Sequence, residues 1–149
     1  MIFGAGRMGL AVAKVFADLA FRVEHYDSRP EAASADVAIF AEDDLVEMAA
    51  LAGLEDFVVI LTHSHDLDYR LVLAVLGAGQ ARYCGLIGSR TKRDNFLARL
   101  TQEGLSAAAI GRLTCPIGIP SLKGKEPQVI AISVAAQLLE LSQEDDVGR

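Results

Sequence analysis

Three glycines spaced as Gly4-x-Gly6-x-x-Gly9, directly behind Met1-Ile2-Phe3, constrain this chain more than any other stretch. The pattern reads as the end of a strand turning into a helix. Gly4 allows the tight turn, Gly6 lets a phosphate or pyrophosphate approach the backbone, and Gly9 lets the helix sit close to the strand. Arg7 lies inside the turn. Leu10, Val12, Ala13, Phe16, Ala17 and Ala20 give the helix a buried face, and its free N–H groups and dipole suit an anion.

The surroundings of the glycines support a βαβ unit. Residues 21–26 read as a second strand ending at Asp27, about twenty residues past the glycines, where an acid can accept from a ribose hydroxyl. The plainer alternative is that the glycines only permit tight packing and that Asp27 opens a turn with Ser28, Arg29 and Pro30. Only three residues precede Gly4, which is short for a central strand of about five or six. The expectation is a piece of a longer protein.

Further strands are expected at 37–40, at 57–61, an unbroken apolar run suited to a parallel strand covered on both faces, and at 81–87. Helices are expected at 45–51, capped by Asp43 or Asp44 and ended near Gly53, at 67–76, at 91–100, from Ser106 to residue 113, and from Pro127 through Leu139. The segment 31–36 is too short for a crossover helix. Two prolines and a glycine make 115–120 a constrained loop, and 140–149 reads as a polar, frayed tail. The expected fold is a single α/β domain over 1–149, a doubly wound, Rossmann-like parallel sheet of about five strands with helices on both faces.

Bulk properties exclude several classes. A net charge of -6 argues against general nucleic-acid binding. The longest apolar runs fall short of a membrane span, no signal-type segment opens the chain, and two cysteines are too few for a disulfide framework; the expected compartment is the cytoplasm. Charge is nevertheless uneven. Arg82, Arg90, Lys92, Arg93, Arg99, Arg112, Lys123 and Lys125 are opposed between them only by Asp94 and Glu103.

Three places carry candidate chemistry. Thr62-His63-Ser64-His65-Asp66 stands at the carboxyl end of a strand, where open α/β sheets place ligands. His63 and His65 share a face and could hold a metal with Asp66 or Asp68, but helix capping by Ser64 or Asp66 explains the motif better, and no metal site is assigned. Gly88-Ser89-Arg90-Thr91-Lys92-Arg93 opens a helix with bases in its first turn, against the helix dipole, which suggests an outside anion or pairing with the acidic first half. Cys115 could be a low-pKa thiolate and soft ligand or an inert core thiol; Cys84 reads as core. A Ser-His-Asp order, a carboxylate pair and a Tyr-x-x-x-Lys relay are not evident, so no catalytic residue is assigned.

Taken together, Thr62-His63-Ser64-His65-Asp66-Leu67-Asp68, Tyr83 through Arg93, Cys115-Pro116-Ile117-Gly118 and Gly124-Lys125-Glu126-Pro127 resemble the C-terminal Rossmann domain of the xanthine dehydrogenase accessory protein family (XdhC/CoxI). The resemblance runs from Gly4 to about Leu139, and on this reading the family's N-terminal domain is expected to lie outside these residues. It implies a maturation factor rather than an enzyme. Such a factor binds the molybdenum cofactor (molybdopterin), a pterin dithiolene with a terminal phosphate, supports its sulfuration by a cysteine desulfurase, and delivers it to xanthine dehydrogenase. The cofactor-binding residues expected on this reading are Gly4, Gly6, Arg7, Gly9, Asp27, Thr62, His63, Gly88, Ser89, Arg90, Lys92 and Cys115. The alternative is an NAD(P)-dependent oxidoreductase built on the same glycines, and a homodimer stays open.

Overall fold

The computed structural model describes residues 1–147. It contains a six-stranded, all-parallel sheet. In chain order the elements are β1 (Ile2–Phe3), α1 (Arg7–Phe16), β2 (His25–Asp27), β3 (Ala38–Ile39), α2 (Glu42–Ala50), β4 (Phe57–Ile60), α3 (His65–Ala78), β5 (Tyr83–Leu86), α4 (Arg90–Gln102), α5 (Ala107–Ile110), β6 (Leu113–Thr114) and α6 (Pro127–Val147). The strand order is β3-β2-β1-β4-β5-β6. Chain progression therefore reverses between β1 and β4, which is where a doubly wound sheet opens a crevice beyond its strand ends.

Two apolar layers hold the helices to the sheet. Phe3, Val58, Ile60, Cys84 and Leu86 face α2, α3 and α4 through Leu45, Leu71, Val72, Phe96 and Leu100. Ile2, Val59, Leu61 and Tyr83 face α1 and α6 through Val12, Phe16, Val134 and Leu138. Strict alternation along β4 sends Val58 and Ile60 to one face and Val59 to the other, so its whole run is apolar because both faces are covered. Among the described residues, no helix is long and apolar enough to cross a membrane.

The structure adds one strand to the five expected. Leu113, read as the end of a helix, begins β6, and α5 stops at Ile110. A strand of two residues carries no periodicity to detect. β2 is shorter than 21–26. Phe21 instead stacks edge-on against Phe16 and Phe57, with ring centroids 5.1 and 5.8 Å apart. Asp27 lies within the strand rather than beyond it. Ala41, not Asp43 or Asp44, precedes α2, and those two acids sit in its first turn, where they complement the dipole. α6 continues through 140–147, where a frayed tail is expected; residues 148–149 lie outside the described residues.

Candidate functional site

Parallel strands end on one edge of the sheet, and here that edge gathers motifs scattered through the sequence. From β2 outward the strand ends run Asp27, the Gly4–Gly9 turn, Thr62-His63, Gly88-Ser89-Arg90 and Cys115. Eleven of the twelve expected binding residues thus stand at these strand ends, and the twelfth, Lys92, follows in the first turn of α4, though the roles they play differ.

The glycine turn is built as its sequence requires. Gly4 has φ +116°, and a Cβ there would stand 2.1 Å from the Leu61 carbonyl oxygen; one on Gly9 would stand 1.8 Å from the Gly4 oxygen. Neither position tolerates a side chain. A Cβ on Gly6 would meet nothing within 4 Å, so its missing side chain leaves space outside the fold. Gly6 is the N-cap of α1, without a side-chain cap or an acid in the first turn. The free amides at this helix end therefore face open space, the arrangement that suits an anion.

The turn is anchored by three successive residues of β2. Tyr26 accepts from the Gly4 N–H at 2.8 Å, His25 Nε2 donates to the Gly4 carbonyl at 2.7 Å, and Asp27 Oδ2 accepts from the Ala5 N–H at 2.7 Å. A carbonyl can only accept, which fixes the proton of His25 on Nε2. Burial lowers the His25 pKa, against opposing contributions from the Gly4 bond and the Asp27 charge. Burial alone would raise the Asp27 carboxyl. The side-chain and backbone bonds from Arg29 and the bond from Ala5 outweigh it and hold the group well below the usual carboxylate range. Asp27, expected to meet a ribose, here meets the protein. The sequence reading missed His25 and Arg29 as parts of the site, although Arg29, two residues beyond the acid, was a visible signal.

A second polar cluster lies under the rim between β4 and β5. Asp68 Oδ1 accepts from the Thr62 N–H at 2.9 Å and stands 2.7 Å from Thr62 Oγ1. Its Oδ2 pairs with Lys92 Nζ at 2.7 Å, and Lys92 also donates to the Ile87 carbonyl at 3.0 Å. Gly88 makes this possible, since a Cβ there would collide with Lys92 Cδ at 2.6 Å. The bases of this turn therefore divide. Lys92 is turned inward and neutralised by Asp68, whereas Arg90 is exposed, and its side chain, like that of Arg7, has no hydrogen-bonding or ionic partner among the described residues. Ser89 caps α4, accepting from the Lys92 N–H at 3.2 Å.

Ser64 caps α3, accepting from the Leu67 N–H at 3.3 Å, which is the capping role expected for it. His63 and His65 are exposed. Among the described residues, no group of three or more His, Cys, Asp or Glu is placed to hold a metal.

Cys115 follows β6 but does not present its sulfur to solvent. It is 8% exposed and packs into the layer shared with Leu86 and Phe96. Burial pushes the Cys115 thiol up, with Lys92 and Arg93 opposing, so the lowered pKa considered from sequence is corrected. The Cys84 thiol is buried too and pushed up to about 12. The loop after Cys115 is clasped by α6. Gln137 Oε1 accepts from the Gly118 N–H at 3.0 Å, its Nε2 donates to the Gly118 carbonyl at 3.0 Å, and Ser133 Oγ accepts from the Ile119 N–H at 2.7 Å. Tyr83 donates to Gln137 Oε1 at 2.7 Å. Ser133 and Gln137, two polar residues one turn apart in an apolar helix, are the sequence signal for this clasp.

Residues 1–138 match the XdhC Rossmann domain family. The chain belongs to that family. It is 31% identical over 148 residues to the Escherichia coli (strain K12) protein YqeB, a match that takes in 95% of this chain and 27% of that protein. A crystal structure of a xanthine dehydrogenase from Bacillus halodurans is similar with a TM-score of 0.79 and 27% identity, covering 96% of this chain and 42% of that chain. The XdhC Rossmann domain described here therefore spans less than half the length of either. A cavity of about 380 Å³, lined by Met1, Phe21, Phe57 and Leu138, lies at the amino ends of the strands, away from the rim that carries these motifs.

Proposed function

We propose that this domain is the cofactor-handling part of an XdhC-like accessory protein, which binds the molybdenum cofactor during maturation of xanthine dehydrogenase. The observation that carries the reading is the open N-terminal end of α1. In a chain of the XdhC Rossmann family, Gly4 and Gly9 shape a turn whose Gly6 leaves its amides uncovered, flanked by the unpaired Arg7. Those residues fit a terminal phosphate, and Arg90, on the same rim, adds a second uncommitted positive charge. The bound group supplies the molybdenum chemistry that the target enzyme uses; what this chain supplies is recognition of the anionic end.

Residues along the rim then divide by task. Gly4, Gly6, Arg7 and Gly9 receive the phosphate, Gly88, Ser89 and Arg90 frame the far side, and Thr62 and His63 form the floor between. Asp27 and Lys92 support these turns through Ala5 and Asp68 rather than touching the ligand. Cys115 fits less well as a ligand, because its sulfur lies in the apolar layer. Support of sulfuration by a cysteine desulfurase and delivery in the cytoplasm belong to the same reading. The NAD(P)-dependent oxidoreductase stands as the alternative, and the Asp27 carboxylate, enclosed by protein donors, speaks against it.

Anaerobic titration of the purified chain with released molybdenum cofactor, followed by pterin fluorescence, tests the proposal. Saturable binding that weakens on Gly6→Val and on Arg90→Ala is expected. Saturable binding of NADH or NADPH with none of the pterin would replace this reading with the oxidoreductase one.

A further inference from the structure

In a dinucleotide-binding turn the acid at the end of β2 accepts the hydroxyls of a ribose, so it must offer free lone pairs to the crevice. An ionised carboxylate has about four acceptor positions. In Asp27 each is met by a protein donor. Oδ1 accepts from the Arg29 N–H at 2.8 Å and from Arg29 Nε at 3.0 Å; Oδ2 accepts from the Ala5 N–H at 2.7 Å and from Arg29 Nη2 at 2.8 Å. The Asp27 side chain is 1% exposed and that of Arg29 30% exposed, so the guanidinium lies between the carboxylate and solvent.

These four bonds fall into two kinds. The backbone bonds from Ala5 and Arg29 fix the turn, while the two from the Arg29 side chain form a planar fork across both oxygens. Removing the side chain alone frees one position on each oxygen, the number that a vicinal diol uses, and leaves both backbone anchors in place.

We propose that Arg29 is a specificity-determining residue of the glycine turn: its guanidinium fills the acceptor positions that a ribose diol needs, and thereby excludes dinucleotides while leaving the turn open to a phosphate not carried on such a ribose. The inference rests on the reading of the Gly4–Gly9 turn as an anion site. It does not depend on which phosphate the turn receives.

Titration with NADH and NADPH, followed by amide NMR shifts of the full chain, tests it. The wild-type protein is expected to show no saturation with either nucleotide at about millimolar concentration. Arg29→Ala is expected to bind NADH on the order of 10- to 100-fold more tightly than wild type, the effect of restoring hydrogen bonds to a charged acceptor. NADPH should gain nothing, because its 2′-phosphate would meet the Asp27 carboxylate. Arg29→Gln, which keeps a donor on a shorter side chain, should gain less, and it supplies the comparison if the alanine variant unfolds. Adding Gly6→Val to Arg29→Ala should abolish the gain. Tight NADH binding by wild type, no gain in either Arg29 variant, or an equal gain for NADPH would overturn the inference. Failure of the molybdenum-cofactor reading is recognised separately, by a wild-type chain that takes up no pterin.

Discussion

Lys92 Nζ lies 2.7 Å from Asp68 Oδ2, and the two side chains are 11% and 1% exposed, so a buried ion pair ties the start of α4 to α3 beneath the rim. Two charges removed from water are tolerable only while they meet each other. Removing one partner leaves the other uncompensated, which costs about 3–5 kcal/mol, whereas replacing both is far milder. Lys92→Met should therefore destabilise the chain by roughly that amount, and Lys92→Met with Asp68→Asn should recover much of it. Urea unfolding of the three proteins measures the difference. A double variant no more stable than Lys92→Met alone would show that the pair is not what holds these helices.

The glycines of the turn separate into two that protect the fold and one that leaves room outside it. At Gly4 a side chain meets the Leu61 carbonyl as well as a positive φ, and at Gly9 it meets the Gly4 carbonyl. In both cases backbone atoms block the side chain. Gly4→Ala and Gly9→Ala should each cost more than about 3 kcal/mol or prevent folding, since strain and overpacking add. Gly6 has φ -77°, ordinary for any residue, and nothing near its Cβ position. Gly6→Ala should change stability by less than about 1 kcal/mol while weakening the proposed binding of the pterin phosphate. Thermal unfolding combined with the fluorescence titration distinguishes the two classes.

Much of this rim was legible in the sequence, and the reasons differ by residue. Gly4 and Gly9 announce themselves because backbone geometry excludes other residues there, Gly6 because it completes their spacing, and β4 because five apolar residues in a row require cover on both faces. What the sequence did not reveal is how the charged residues near the rim pair. Asp27 stands at the expected distance from the glycines, yet only the fold shows Arg29 folded back over it. Lys92 and Arg90 look equivalent in a basic first turn, but the absence of a Cβ on Gly88 lets Lys92 reach Asp68, 24 residues earlier, and leaves Arg90 outside. The direction in which a long side chain turns is settled by partners from other elements, which local patterns do not encode. β6 escaped detection for a similar reason: a two-residue strand is defined by its neighbour β5.

His25 gives the turn a pH dependence. Burial lowers its pKa, while Asp27 and Asp36 raise it and the Met1 amino group lowers it further. The unfolded chain therefore takes up a proton on this histidine below about pH 6.5, before the folded chain does. Stability linked to His25 is complete above that value and is lost as pH falls toward the folded pKa. Asp27 contributes in the same direction but lower, since its folded pKa is also depressed: its share is complete above the ordinary carboxylate range and fades below it. His25→Gln retains a donor for the Gly4 carbonyl and cannot titrate. Its unfolding free energy should fall less than that of wild type as the pH drops below about 6.5. A variant that follows the wild-type slope throughout would place the proton uptake on another group.

Cys115 provides the last prediction, because its reactivity depends on a loop rather than on its immediate charges. Lys92 and Arg93 favour the thiolate, but burial outweighs them and the pKa is raised. The thiol should react with iodoacetamide more slowly than a free cysteine at pH 8, with Cys84 slower still. Opening the 115–119 loop removes the burial and leaves the two cations. Gln137→Leu breaks both bonds to Gly118 and the bond from Tyr83. At about 1 kcal/mol per bond, loss of the clasp should raise the Cys115 rate by roughly tenfold or more. Peptide mass spectrometry after timed alkylation separates Cys115 from Cys84, which is held within β5 between β4 and β6. Selective acceleration at Cys115 is the expected result; equal acceleration at both cysteines would mean that Gln137→Leu loosens the whole domain, and no acceleration would mean that packing alone keeps the sulfur covered.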